Sequence, residues 1–180
     1  AGEICLWSNV STDVIVDVTG WFDDSASASG LQAVSPKRIV DSRIGLGAPQ
    51  RKVGPGEPLV IDVAGLTAMR SDGSSATVPD GVSSVVINLT AVQAAGPGFL
   101  TVWPCAVGRE ETSSLNYQRG AAIANNIIAR VDDNGQVCVH SMIDSHVIVD
   151  LQGWSGPTDP AFVASDPYRI VDTRIGRGAS

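Results

Sequence analysis

Apolar and β-branched residues fall along the chain in short runs divided by turn-forming residues, the pattern of strands rather than helices. Leu59 to Ala64 (LVIDVA), Ser84 to Val92 (SVVINLTAV), Phe99 to Trp103 (FLTVW), Ser113 to Tyr117, Ile123 to Val131, Gln136 to Ser141 and His146 to Leu151 are the predicted strands. Between them stand PGEP (55 to 58), VPDG (78 to 81), AGPG (95 to 98) and DDNG (132 to 135). The Asn-Gly step that ends DDNG is the strongest short hairpin signal in the sequence. No segment carries a helical period. Seven or eight strands in roughly 120 residues is the count of an antiparallel β-sandwich or jelly-roll, so the fold class is all-β.

Two stretches occur twice. ICLWSNVSTDVIVDVTGWF, from Ile4 to Phe22, matches VCVHSMIDSHVIVDLQGWS, from Val137 to Ser155, and PKRIVDSRIGLGAP, from Pro36 to Pro49, matches PYRIVDTRIGRGAS, from Pro167 to Ser180. The stretches between these landmarks are rich in Asp, Ser, Ala, Gly and Pro, as tolerant linkers are. The expected organisation is therefore a closing hairpin of a preceding repeat over 1–22, a linker over 23–35, one complete repeat over 36–155, a linker over 156–166, and the start of a following repeat from 167 to 180. The chain opens on Ala1 with no initiator Met or signal-peptide pattern, and the repeat favours reading it as a window of a longer precursor.

Charge narrows the partners. Twelve Lys and Arg stand against 19 Asp and Glu, a net charge of −7, which argues against nucleic acid and anionic lipid surfaces. The apolar runs are far shorter than the ~20 residues of a membrane-spanning helix. With 43% hydrophobic and only 17% charged residues, the chain is expected to fold into a packed, turn-rich domain.

Seven short motifs, in order, carry a resemblance. They are P-x-R-I-V-D-x-R-x-G-x-G-A (Pro36 to Pro49), V-x-P-G (Val53 to Gly56), the V-A-G strand (Leu59 to Gly65), N-L-T-A (Val86 to Ala91), S-x-L-N-Y (Ser113 to Tyr117), I-A-N-N (Ile123 to Asn126) and H-x-I-V-D-x-x-G-W (His146 to Trp154). Together they resemble a tandem-repeat β module of secreted actinobacterial multidomain proteins, and with the partial repeats the likeness covers nearly the whole chain. The resemblance implies an extracytoplasmic location and tandem use beside other secreted domains; it brings no catalytic residues. The chain departs from the common pattern at TVWPC (101 to 105) and QVCVHS (136 to 141), which add cysteines.

Cys105 and Cys138 lie in one repeat, and Cys5 aligns with Cys138. The pair is read as an intra-repeat disulfide suited to a secreted domain, with buried free thiols as the alternative and the partner of Cys5 lying upstream. A zinc site is a poor match, for there is no C-x-x-C and there are only two His. The Arg38, Asp41, Arg43 cluster recurs as Arg169, Asp172, Arg174. Strand alternation would put residues 39, 41 and 43 on one face, with Asp41 between guanidinium groups; an ion-paired corner and an anion- or sugar-binding site are both open readings. His140 and His146 flank Asp144, but the first copy has Trp7 and Asp13 at the histidine positions, which argues against catalysis there. Trp7, Trp21, Trp103 and Trp154, with Tyr117 and Tyr168, are the aromatics a glycan-binding face would use, Trp103 and Tyr117 foremost; Trp21 and Trp154 close equivalent strands and read as packing residues.

No G-x-S-x-G elbow, H-E-x-x-H or phosphate loop occurs; the chain is expected to be no enzyme and to hold no cofactor or metal. Two functional classes follow. One is a structural or adhesive repeat of a secreted or cell-surface protein, partnered head-to-tail by copies of itself or neighbouring repeats. The alternative is a carbohydrate-binding module tethering a secreted hydrolase to cell wall or polysaccharide.

Overall fold

The computed structural model describes residues 6–22, 31–109, 112–156 and 162–178. At 17, 19–22 and 162–169 the description covers the backbone alone, and Cys5 lies outside the described residues. The described residues are all-β, with antiparallel pairing at every strand pair from β2 to β11 and a single short 3-10 turn at Thr173–Ile175. The chain divides into two compact units: Asp23–Phe162 form one, and Ala1–Phe22 with Val163–Ser180 form the other.

The first strand in chain order, β1 (Ile15–Phe22), belongs to the smaller unit. The larger unit holds β2 (Gln32–Asp41), β3 (Leu59–Asp62), β4 (Thr67–Met69), β5 (Ser75–Thr77), β6 (Ser84–Val92), β7 (Gly98–Pro104), β8 (Leu115–Tyr117), β9 (Ile123–Arg130), β10 (Gln136–Ser141) and β11 (His146–Ser155), and β12 (Phe162–Asp172) closes the chain. Two four-stranded sheets, ordered β2-β11-β6-β9 and β3-β10-β7-β8, make the sandwich, with a small β4-β5 hairpin beside them.

Alternation decides which residues face inward. Along β6, Val85, Ile87, Leu89 and Ala91 are fully buried while Val86, Asn88, Thr90 and Val92 are half-buried, the two-residue period of a pleated strand with one face on the core. Val147, Val149 and Leu151 of β11 join them, and Ile61, Leu100, Val137 and Val139 face them from the other sheet. Each of the buried Val, Ile and Leu side chains contributes about 1.5–3 kcal/mol by leaving water, so the facing rows are what hold the sheets together.

All seven expected strands, β3 and β6 to β11, fall where the apolar runs put them, within a few residues. Strand β2 starts at Gln32 and β12 at Phe162, inside the segments read as linkers; residues 23–30 and 157–161 of those segments lie outside the described residues. The DDNG turn is real but joins strands of different sheets. Asp132 N–H donates to the Gln136 carbonyl, and its carboxylate accepts from the Asn134 and Gln136 amides, each at 2.9 Å. The second oxygen takes the Ala106 amide at 3.0 Å. Because Asp132 also ties down the segment after β7, the chain passes from β9 to β10 across the sandwich instead of folding back on β9.

Cys105 and Cys138 form a disulfide with Cα atoms 5.0 Å apart. It follows from the register: Cys138 of β10 lies opposite Trp103 of β7, so two residues on, at the end of β7, Cys105 comes within reach. The bond closes a 33-residue separation spanning β8, β9 and the DDNG turn. Reducing it is expected to lower the unfolding free energy by about 3.5 kcal/mol, from the loop entropy returned to the unfolded chain. Denaturant unfolding with and without reductant measures this; a loss under about 1 kcal/mol would mean that the disulfide adds little to a core already complete.

Candidate functional site

The recurring Arg-x-x-Asp-x-Arg-x-Gly-x-Gly stretch builds the most distinctive polar structure in the chain. Strand β2 ends at Asp41, and residues 42–45 turn. Asp41 and Leu46 then exchange backbone hydrogen bonds at 2.9 and 3.2 Å, closing a tight loop. Within it the Arg43 guanidinium reaches back to the Asp41 carboxylate through two hydrogen bonds, Nε to Oδ1 at 2.9 Å and Nη2 to Oδ2 at 2.7 Å, and the Arg43 amide adds a third at 3.1 Å. Asp41 is 2% exposed, so its charge must be matched where it lies. The fork from Arg43 holds its carboxyl down from an ordinary 3.8 to about 2, against the opposing effect of burial. Gly47, at φ +59, sits so close beneath β2 that a Cβ would collide with the Ile39 carbonyl.

The expected single face of 39, 41 and 43 is not what forms. Facing β11, Val40 lies opposite Val149 but Arg38 lies opposite Asp150, with the register shifting between them. Ile39 is therefore a bulge, and it re-aims Arg38. Arg38 pairs chiefly with Asp150, at 2.9 and 3.2 Å, and stands 3.8 Å from Asp41. Arg43 lies past the strand end and comes back through the turn. Both arginines are thus engaged by carboxylates of their own unit. The second copy repeats the corner: Arg174 forks onto Asp172 at 2.9 and 2.7 Å, and Asp172 exchanges backbone bonds with Arg177. The Arg169 side chain lies outside the described residues.

Beside the corner, Ser42 straps β2 to β11. Its amide donates to the Val147 carbonyl, its hydroxyl accepts the Val147 amide, and the hydroxyl also bonds His146 Nδ1, all at 3.0 Å. The spacing of Ser, His and Asp in the sequence offered no sign of this pair, which strand pairing alone brings together across 104 residues. A hydroxyl that is 1% exposed and already holds a backbone amide is engaged as a strap. The equivalent in the smaller unit is Thr173 with Asp13: the Thr173 amide donates to the Val14 carbonyl at 3.0 Å, its hydroxyl takes the Val14 amide at 2.8 Å and donates to Asp13 at 3.3 Å.

Trp103 and Tyr117, the aromatics a sugar would need, face inward. Trp103 is 7% and Tyr117 2% exposed, and the Tyr117 hydroxyl bonds Ser141 at 2.7 Å and donates to the Ile143 carbonyl at 2.9 Å. Neither ring can stack on a glycan from solvent. His140 is also buried, with Arg109 Nη1 at 2.7 Å from its Nε2. A guanidinium only donates, so that nitrogen accepts and the ring is neutral; burial, then the Arg109 charge, lowers its pKa. No group of three or more metal-ligating side chains occurs among the described residues.

Acid separates two of these groups. His140 binds a proton more readily unfolded, so stability falls as pH drops below about 6.5. The contribution of Asp41 is whole above 3.8 and is lost as pH falls from 3.8 towards 2. Asp41→Asn is expected to cost about 2 kcal/mol at neutral pH, or roughly 5–10 °C in Tm, and to flatten the stability curve between pH 4 and 2 while leaving its fall below 6.5. A variant curve that stays parallel to the parent between pH 4 and 2 would remove Asp41 from this account.

The chain was compared with protein-family models, with curated proteins and with solved structures, and nothing matches in any of the three.

Proposed function

We propose that this chain is a non-catalytic structural and adhesive repeat of an extracellular surface protein. The observation that carries the proposal is the corner and strap built twice. In one unit Arg43 closes the corner on Asp41 and Ser42 ties it to Val147 of β11; in the other Arg174 closes the corner on Asp172 and Thr173 ties it to Val14, just before β1. What recurs is a way of joining an opening strand to a closing strand. What changes freely is the acid-base chemistry beside it, since His146 in one unit is Asp13 in the other.

Three further facts support the reading. The disulfide suits an oxidising compartment. The motifs resemble those of secreted tandem modules. No helix among the described residues is long and apolar enough to cross a membrane. Burial of Trp103 and Tyr117 weighs against the carbohydrate-binding alternative, which would need other aromatics; Trp7, 88% exposed, is the one to test.

On intact source cells, an antibody against the chain should label the surface, and protease shaving should remove the label. In native gels containing chitin, cellulose or peptidoglycan, the chain should migrate unretarded. Retardation abolished by Trp7→Ala would replace this proposal with the carbohydrate-binding one, and labelling only after cell lysis would end the extracellular reading.

A further inference from the structure

The two sheets of the sandwich end in four edge strands, β2, β9, β3 and β8, and three of them are blunted. Strand β3 has four residues and β8 has three, too short to template another strand. Strand β2 is long, but it carries Pro36, Lys37 and Arg38, its pairing with β11 shifts register twice, and Lys37 bonds the Thr67 carbonyl of β4 beside it. Proline, charge and bulges are the usual guards of an edge. Strand β9 has none of them along its length. It reads IANNIIAR, pairs with β6 through eight residues without a shift, and carries no charge before Arg130.

The pleat decides which backbone groups of β9 face outward. The Val131 amide donates to the Ser83 carbonyl, so by alternation Ile123, Asn125, Ile127 and Ala129 turn their amides and carbonyls to β6, and Ala124, Asn126 and Ile128 turn theirs to the open edge. Among the described residues no hydrogen bond reaches the backbone of those three. Their side chains lie on the outer face of the sheet, opposite the core that Ile127 and Ala129 join. On that face a polar row crosses the sheet: Arg38 stands opposite Asp150, Asp150 opposite Asn88, and Asn88 opposite Asn126. Arg38 and Asp150 satisfy each other. The row ends at Asn126, exposed at the rim of the sheet.

The chemistry of this edge matches itself. A carboxamide both donates and accepts, so it is complementary to a second carboxamide. The flanking Ala124 and Ile128 are apolar, so two copies meet there without like charges, and a two-fold axis makes every bond formed occur twice. We propose that β9 pairs antiparallel with β9 of a second copy about a two-fold axis at Asn126, joining two sheets into one. In this register Ala124 faces Ile128 of the second copy, and the polar row runs on from Asn126 into its own image. Centring the pair on Ile127 instead would set Asn126 against Ile128 and leave the amide unmatched. The contact lies wholly within the complete unit, and it holds whether or not the chain is extracellular.

Sedimentation equilibrium of the whole chain from about 5 µM to 1 mM should show monomer passing to dimer. Asn126→Lys sets two ammonium groups face to face on the axis while staying on an exposed edge, and should weaken the dimer about tenfold or more with Tm unchanged. In a Cys5→Ser background, Asn126→Cys should yield a disulfide-linked dimer on mild oxidation, because facing residues of a hydrogen-bonded pair lie about 5.5 Å apart at Cα. Ala124→Cys mixed with Ile128→Cys should give heterodimer well above either homodimer. Monomer alone across the whole concentration range overturns the proposal. So does a dimer that Asn126→Lys leaves intact, because another surface would then hold it. Failure of Asn126→Cys to cross-link, or Ala124→Cys homodimer equal to the heterodimer, overturns it too, because the strands would not meet in this register.

Discussion

A carboxylate buried at the end of β2 has to be neutralised on the spot, and the rest of the unit is arranged around that requirement. Asp41 cannot be solvated at 2% exposure, so the chain turns at once to bring Arg43 back upon it. A turn that tight needs residues free to take positive φ, and it passes so close beneath β2 that only glycine fits at 47. Closing the loop holds Ser42 against β11, and β11 in turn holds β6. The arginine-aspartate-glycine motif is therefore one device in which charge, turn and strand pairing cannot be separated. Breaking any part leaves a buried charge or an unmade strand bond, which is the costly case.

Most of the sheet structure was legible in the sequence because burial imposes its period on the strands. Ser84 to Val92 and Gln136 to Ser141 read as strands and are strands with those bounds. The rest escaped for identifiable reasons. The Ile39 bulge is invisible to a period-two pattern, since one inserted residue leaves composition unchanged and reverses the face of Arg38. The Asn-Gly of DDNG specifies a turn but not which sheet receives the next strand; that choice rests with Asp132, which also binds the Ala106 amide. Gln32 to Ser35 lies in a stretch that looks like linker because it is rich in small and polar residues, yet Gln32 and Ala33 pair with Trp154 and Gly153 of β11. Gly153 marks this pairing: a Cβ there would come within 2.8 Å of the Gln32 carbonyl oxygen.

The candidate site was less legible than the fold. The Asp41-Arg43 pair was visible as a repeated cluster, and Cys105 with Cys138 as an intra-repeat pair. Ser42 with His146 was not, because they are distant in sequence and meet only through the β2-β11 register. Trp103 and Tyr117 illustrate the converse error: an aromatic in a β protein says nothing by itself about which side of the sheet it occupies, and the hydroxyl of Tyr117 finds its partners inside.

The register of β2 on β11 also decides how the complete unit responds to force. Gln32, where β2 begins, lies opposite Trp154, near the end of β11, so the chain enters and leaves the unit side by side. Tension drawn through an array of such units would part the two strands bond by bond, as a zip opens, instead of sliding them against each other with all bonds strained together. The residues between Cys105 and Cys138, a separation of 33, would stay closed under such tension for as long as the disulfide is intact, so the same register that lets the ends part leaves a covalently bounded segment that does not extend.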